Sequence, residues 1–239
     1  MPEVEAPSFD TDHDSSSINK LNALRAAVLG ADDGIVSVAS IVLGVAGATN
    51  NRGTIFTAGL AGLVAGAMSM AVGEYVSVSS QRDTQRAFIA KEEGHLKKYP
   101  DQEFEELQEN YQAKGLSEKT ANKVARELSQ HNVLKAHLEV EMGLVGKNLI
   151  NPIPNTISSF LSFTIGGLIP LLAIILINQS IHLIATALAV LLALCITGYI
   201  SASFSGASRV RATMRVVLGG ALAMLITFSI GHLFGTAVH

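Results

Sequence analysis

Long parts of this chain carry no charge. Between Asn148 and Ser208 there is no Asp, Glu, Lys or Arg, and none follows Arg215. With 15% charged residues against 49% hydrophobic ones and a mean hydropathy of +0.37, the composition excludes an ordinary soluble domain. Cysteine occurs once, at Cys195 in an apolar stretch, which excludes a disulfide framework within one chain and leaves packing as its role. A signal peptide's basic n-region and apolar h-region are missing as well. The first 20 residues, with Glu3, Glu5, Asp10, Asp12, Asp14 and a run of serines, read instead as a disordered acidic tail. Neither a repeat of roughly 20 to 50 residues nor a low-complexity tract is apparent.

What is present is a set of apolar runs, each long enough at about 20 residues to cross a bilayer. They predict five helices, over Ala26 to Ala48, Thr54 to Val78, Thr156 to Ile177, Ile181 to Ser203 and Thr213 to Phe234. The breaks between them, Asn50-Asn51-Arg52-Gly53, Asn178-Gln179-Ser180 and Gly206-Ala207-Ser208, are turn formers too short to be domains. Basic residues near membrane ends stay on the cytoplasmic side. Lys20 and Arg25 precede the first helix, eleven basic residues fall between Arg82 and Lys147, and Arg209, Arg211 and Arg215 flank the last two helices, with Arg52 alone on the other side. The expected organisation is therefore a tail over 1–20, two membrane helices within 21–81, a cytoplasmic segment over 82–147 and three membrane helices within 148–239. The fold class is all-α, a polytopic membrane protein.

The 82–147 segment holds twelve of the twenty acidic residues, and helical patterning in three stretches separated by Tyr99-Pro100 and Gly115 predicts a three-helix domain. Ser117 ahead of Thr120 resembles a helix start. Glu92 and His95 are spaced i, i+3, as are Glu103 and Glu106, and His137 and Glu141 are spaced i, i+4. Residues so spaced share a helix face, so three pairs on three helices offer ligands to a shared ion cluster. Imidazole with carboxylate suits divalent iron, manganese, cobalt or zinc better than calcium. The same residues also read as solvated charges paired with lysines.

Three acids fall inside the apolar runs: Asp32, Asp33 and Glu74. An ionised carboxylate at mid-bilayer costs about 2.5 to 3.5 kcal/mol on insertion scales, so such residues face a pathway, a partner or a bound ion. Asp33, Ser37, Ser40 and Gly44 give the first helix one polar or small face, and Gly66, Met70, Glu74, Ser77 and Gln81 do the same for the second. A thioether with carboxylates makes a stepping site for a borderline-soft cation.

The strings GADDGIVSVASIVLGVAGA, AGAMSMAVGEYVSVSSQRD, the acidic insert ending in EVEMGL, and PNTISSFLSFTIGGLIPLL resemble the vacuolar iron transporter family, in order from about Asn19 to Gly235. That resemblance implies a five-helix subunit that forms a homodimer, its first two helices lining the pathway and moving ferrous iron out of the cytosol in exchange for protons. It also implies a cytoplasmic three-helix domain that binds ions before transport. Position by position, Asp33, Met70 and Glu74 match the family's pathway residues, and Glu92, Glu103, Glu106 and Glu141 its ligands. His95 and His137 stand where relatives carry Glu and Met. A tail of 20 residues is too short for the ferritin-like domain of the family's fused branch, so that branch is not expected.

The resulting expectation is a transporter, not an enzyme, exporting Fe2+ or Mn2+, with no cofactor beyond bound or carried divalent metal (Zn2+ and Co2+ included) and no nucleic-acid partner. Its place is a bacterial inner membrane or a vacuolar membrane. The alternative from another class is a membrane-tethered oxidoreductase or storage protein with a di-metal site. Only Glu92 and His95 form the Glu-x-x-His pair such a site favours, and it leaves Asp33 and Glu74 without a role.

Overall fold

Each apolar run becomes a helix because backbone polar groups in lipid have no water to bond and must be satisfied within the segment. The structure, a computed structural model, describes residues 11–143, 149–206 and 208–237. Among them every regular element is an α-helix: α1 (Thr11–Ala48), α2 (Arg52–Lys98), α3 (Pro100–Ala113), α4 (Glu118–Met142), α5 (Pro152–Leu176), α6 (His182–Ser205) and α7 (Arg209–Ala237). Five are long and apolar enough to cross a membrane: α1 from Leu21, α2, α5, α6 and α7. The chain is an all-α, multi-pass membrane protein.

The structure differs from the sequence reading at three places. Residues 1–10 lie outside the described residues, but the tail expected to be disordered through residue 20 is helical from Thr11. The first helix of the charged segment is not separate, because no Gly or Pro interrupts residues 77–93 and α2 runs on for 47 residues. And α7 starts earlier than Thr213, at Arg209.

The backbone forms two compact units: Asn22–Val76 with the chain from Pro152 onward, and Ser77–Asn151 with the start of α1. In the first, the membrane unit, α1 carries much of the core through Ile35, Val38, Ala39 and Val42, packed with Leu63 and Phe163. Glycines permit this. A Cβ on Gly34 would lie 2.2 Å from the Phe163 carbonyl oxygen, and one on Gly166 2.5 Å from that of Ala31, so α1 and α5 touch backbone to backbone. The turns are tied together as well. Asn51 Oδ1 accepts from Thr54 N at 3.0 Å to cap α2, and the Arg52 guanidinium donates to the carbonyls of Ile175 (3.2 Å) and Ile177 beyond the end of α5. Large side chains such as Val64, Leu188 and Leu225 face outward, as suits lipid-facing helices.

In the second, charged unit, α3 starts at Pro100, whose missing N–H costs nothing in a first turn. As expected from Ser117, its hydroxyl accepts from Thr120 N at 3.4 Å and begins α4. α4 is broken at Asn132 (φ −163°, ψ 90°), whose Oδ1 accepts from Lys135 N at 3.0 Å and so caps a second helical segment. Leu107, Ala125 and Ala136 form the small apolar core, flanked by Phe104, Tyr111, Leu128 and Val140.

Candidate metal centre and membrane pathway

The second segment of α4 places His137 fully buried, with its Nδ1 facing three carboxylates. Glu92 Oε1 lies at 3.0 Å, Glu141 Oε1 at 3.1 Å and Glu103 Oε2 at 3.7 Å. On the other side of Glu103, Oε1 lies 3.3 Å from His95 Nδ1. Two overlapping sets of ligand atoms result, Glu92 with His137 and Glu141, and Glu92 with His95 and Glu103, each within 4.8 Å. Glu92 belongs to both. Glu92 and Glu103 are each 5% exposed and the Glu141 side chain 18%, so three acids crowd one buried imidazole with little water to screen them. Burial first, and the neighbouring Glu141 carboxylate second, push Glu92 above the ordinary glutamate range, while His137 pulls the other way. His137 Nε2 is buried without a hydrogen-bond partner among the described residues. A divalent cation fits this donor set, since it supplies the missing positive charge to oxygens and an imidazole nitrogen already gathered.

Five of the six residues predicted from spacing are thus brought together. The sixth, Glu106, is not. It is exposed on α3 and lines an open, polar surface recess with Gln102, Glu105 and Glu109. The i, i+3 rule placed it near Glu103, but α3 buries Glu103 and Leu107, and Glu106 is turned about 60° from Glu103 away from Leu107.

In the membrane unit, Asp33 accepts a hydrogen bond from Ser37 Oγ at 2.6 Å, one turn on, and is exposed at the surface of that unit. Met70 is half-buried against the core. Glu74 is largely covered, with 14% of its side chain exposed, and its Oε1 lies 3.6 Å from the Arg25 guanidinium without a hydrogen bond. Two further groups belong to this description. Asp32, whose Oδ1 is buried without a hydrogen-bond partner, has Thr197 of α6 at its carboxylate. In the sequence Arg25 marks only orientation, and its spacing from Glu74 along the chain gives no sign of their contact.

A profile of the VIT family matches residues 24–232, nearly the whole described chain. The chain belongs to the VIT family. Among curated relatives, a vacuolar iron transporter of Acanthamoeba castellanii is 41% identical over 231 residues, 96% of this chain and 85% of that protein. Vacuolar iron transporter homolog 2.1 of Arabidopsis thaliana is 34% identical over 215 residues, covering 90% and 82%, and VIT-like transporter 1b of Glycine max 33% over 237, covering 98% and 86%. For a VIT-family chain, the buried acids and the five spans are parts of one membrane protein related to transporters, not to enzymes.

Proposed function

We propose that this VIT-family protein carries Fe2+, with Mn2+ as a second cargo, out of the cytoplasm in exchange for protons, across a vacuolar or bacterial inner membrane. The observation that carries this reading is Asp33: a carboxylate within an apolar helix, exposed at the surface of one subunit, where lipid contact is costly. A second copy of the chain facing α1 across a water-filled path relieves that cost, which supports a homodimer with Asp33, Met70 and Glu74 along the shared route. Carboxylate oxygen and thioether sulfur bind a borderline-soft ion that has shed water, without holding it too tightly to leave. Protons compete for the same oxygens, because a low-dielectric site favours the neutral acid until a cation arrives. The basic residues around 82–147 support a cytoplasmic side for the charged unit. There Glu92, His95, Glu103, His137 and Glu141 collect ions ahead of the membrane step.

Ion flux into sealed vesicles carrying the purified protein, with Fe2+, Mn2+ and Zn2+ compared, tests the reading. Saturable uptake of Fe2+ and Mn2+ is expected. Vesicles no leakier to any of these ions than protein-free ones would overturn it.

A further inference from the structure

Glu74 has a partner that a transport site does not need for structure. Arg25 lies where the apolar run of α1 begins, and its guanidinium approaches Glu74 Oε1 at 3.6 Å with 61% of the arginine side chain uncovered by the rest of the chain. The backbone beneath it is fixed, since Ser158 Oγ of α5 donates to the Ala23 carbonyl at 2.8 Å. The long side chain is therefore the mobile part, on an anchored stem. Its distance and exposure describe a loose pair, of the kind that contributes little to stability and is readily displaced. Glu74 is the opposite: mostly covered, with Oε1 buried and lacking a hydrogen-bond donor. A covered carboxylate demands a positive charge, and Arg25 is the basic group seen to supply it among the described residues of the membrane unit.

We propose that Arg25 is a specificity-determining residue of the pathway, a tethered cation that occupies Glu74 until a divalent ion displaces it. This rests on the transport reading above and names a residue that the reading does not include. A single tethered positive charge sets a threshold. A monovalent ion offers Glu74 no more charge than the arginine already there, and it arrives with an entropy cost that the tethered group has been spared. A divalent ion offers twice the charge, and also draws on neighbouring donors that a guanidinium, which has no acceptor and cannot ligate sulfur, leaves unused. Once displaced, Arg25 retains a favourable position, because a long arginine reaches the phosphate level of a bilayer while its stem stays on apolar surface.

Transport by Arg25→Gln and Arg25→Lys, compared with wild type in vesicles with Mn2+ as probe, tests this. In Arg25→Gln the KM for Mn2+ should fall about two- to fivefold, the range a loose ion pair commands. Sodium at high concentration should inhibit Arg25→Gln and leave wild type and Arg25→Lys unaffected. An unchanged or higher KM in Arg25→Gln, with no new sensitivity to sodium, would overturn the proposal. A second measurement needs neither flux nor that variant. In the wild-type protein, modification of Arg25 by phenylglyoxal, followed by peptide mass spectrometry, should be faster with saturating Mn2+ than without, and fast regardless of Mn2+ in Glu74→Gln. Equal rates in all three conditions would count against displacement. Absence of flux from the wild type, with metal-dependent Arg25 modification intact, would instead count against the transport reading.

Discussion

His137 and Glu92, 45 positions apart in the chain, meet at 3.0 Å in the interior of the charged unit, Nδ1 to Oε1. The contact joins the end of α2 to the second segment of α4, and it sits in an excess of negative charge. A cation bound at this point would compensate Glu92, Glu103 and Glu141 together, so metal binding would be coupled to folding of the unit.

Replacing His137 by Ala should therefore remove one bound ion rather than weaken all sites equally, because His137 serves only the set with Glu92 and Glu141. Glu106→Ala should leave the count unchanged, since Glu106 is outside both sets. Titration calorimetry of the full chain in detergent reads both, and loss of an ion in Glu106→Ala would show that α3 turns a different face to the metal.

The pH dependence follows from Glu92. An acid whose folded pKa is raised stabilises the fold below its ordinary value of 4.5, and that contribution is lost as pH climbs through the raised value. Without metal, amide hydrogens over 92–142 should exchange faster as pH increases across that window, after correction for intrinsic exchange. Added Mn2+ should restore protection, because a cation beside Glu92 favours its ionised form. Protection that increases with pH in the metal-free protein would contradict the assignment.

Asn132 offers a separation of stability from binding. Asn132→Ala removes the cap on Lys135 N and costs about 1 kcal/mol of helix stability. It also favours continuing α4 as one helix, which turns His137 and Glu141 away from Glu92. Metal affinity should drop by more than the stability loss accounts for, a difference visible when melting and calorimetry are compared on the same preparation.

Helix contacts in the membrane unit are tested at two glycines. A Cβ at Gly34 meets the Phe163 backbone at 2.2 Å, whereas one at Gly73 meets nothing within 4 Å. Gly34→Ala should destabilise the protein by about 1 to 3 kcal/mol or prevent its assembly, because backbone has to move to accommodate the methyl. Gly73→Ala should be neutral in a detergent melt.

Much of this was legible in the chain. Apolar runs bounded by Asn, Gly and Ser turns are long enough to name five spans, and Ser117 announces the start of α4 because the cap needs only a hydroxyl ahead of a free N–H. The break at Asn132 was not legible. The sequence Ser-Gln-His-Asn-Val-Leu-Lys-Ala-His keeps helical patterning through it, and only tertiary contacts decide that an Asn caps rather than continues. Spacing also placed Glu106 with Glu103, whereas which side of Glu103 is buried depends on where α3 finds its apolar neighbours. Arg25 and Glu74 lie on different helices, and no periodicity links them.

The most direct test of metal–proton exchange uses reconstituted vesicles with a pH-sensitive and a metal-sensitive dye inside. Wild-type protein should take up Fe2+ faster when the proton gradient opposes metal movement, with protons leaving as metal enters. Asp33→Asn should abolish both signals while the protein stays assembled and the charged unit still binds metal. Uptake at the wild-type rate in Asp33→Asn, or uptake indifferent to the pH gradient, would contradict the exchange.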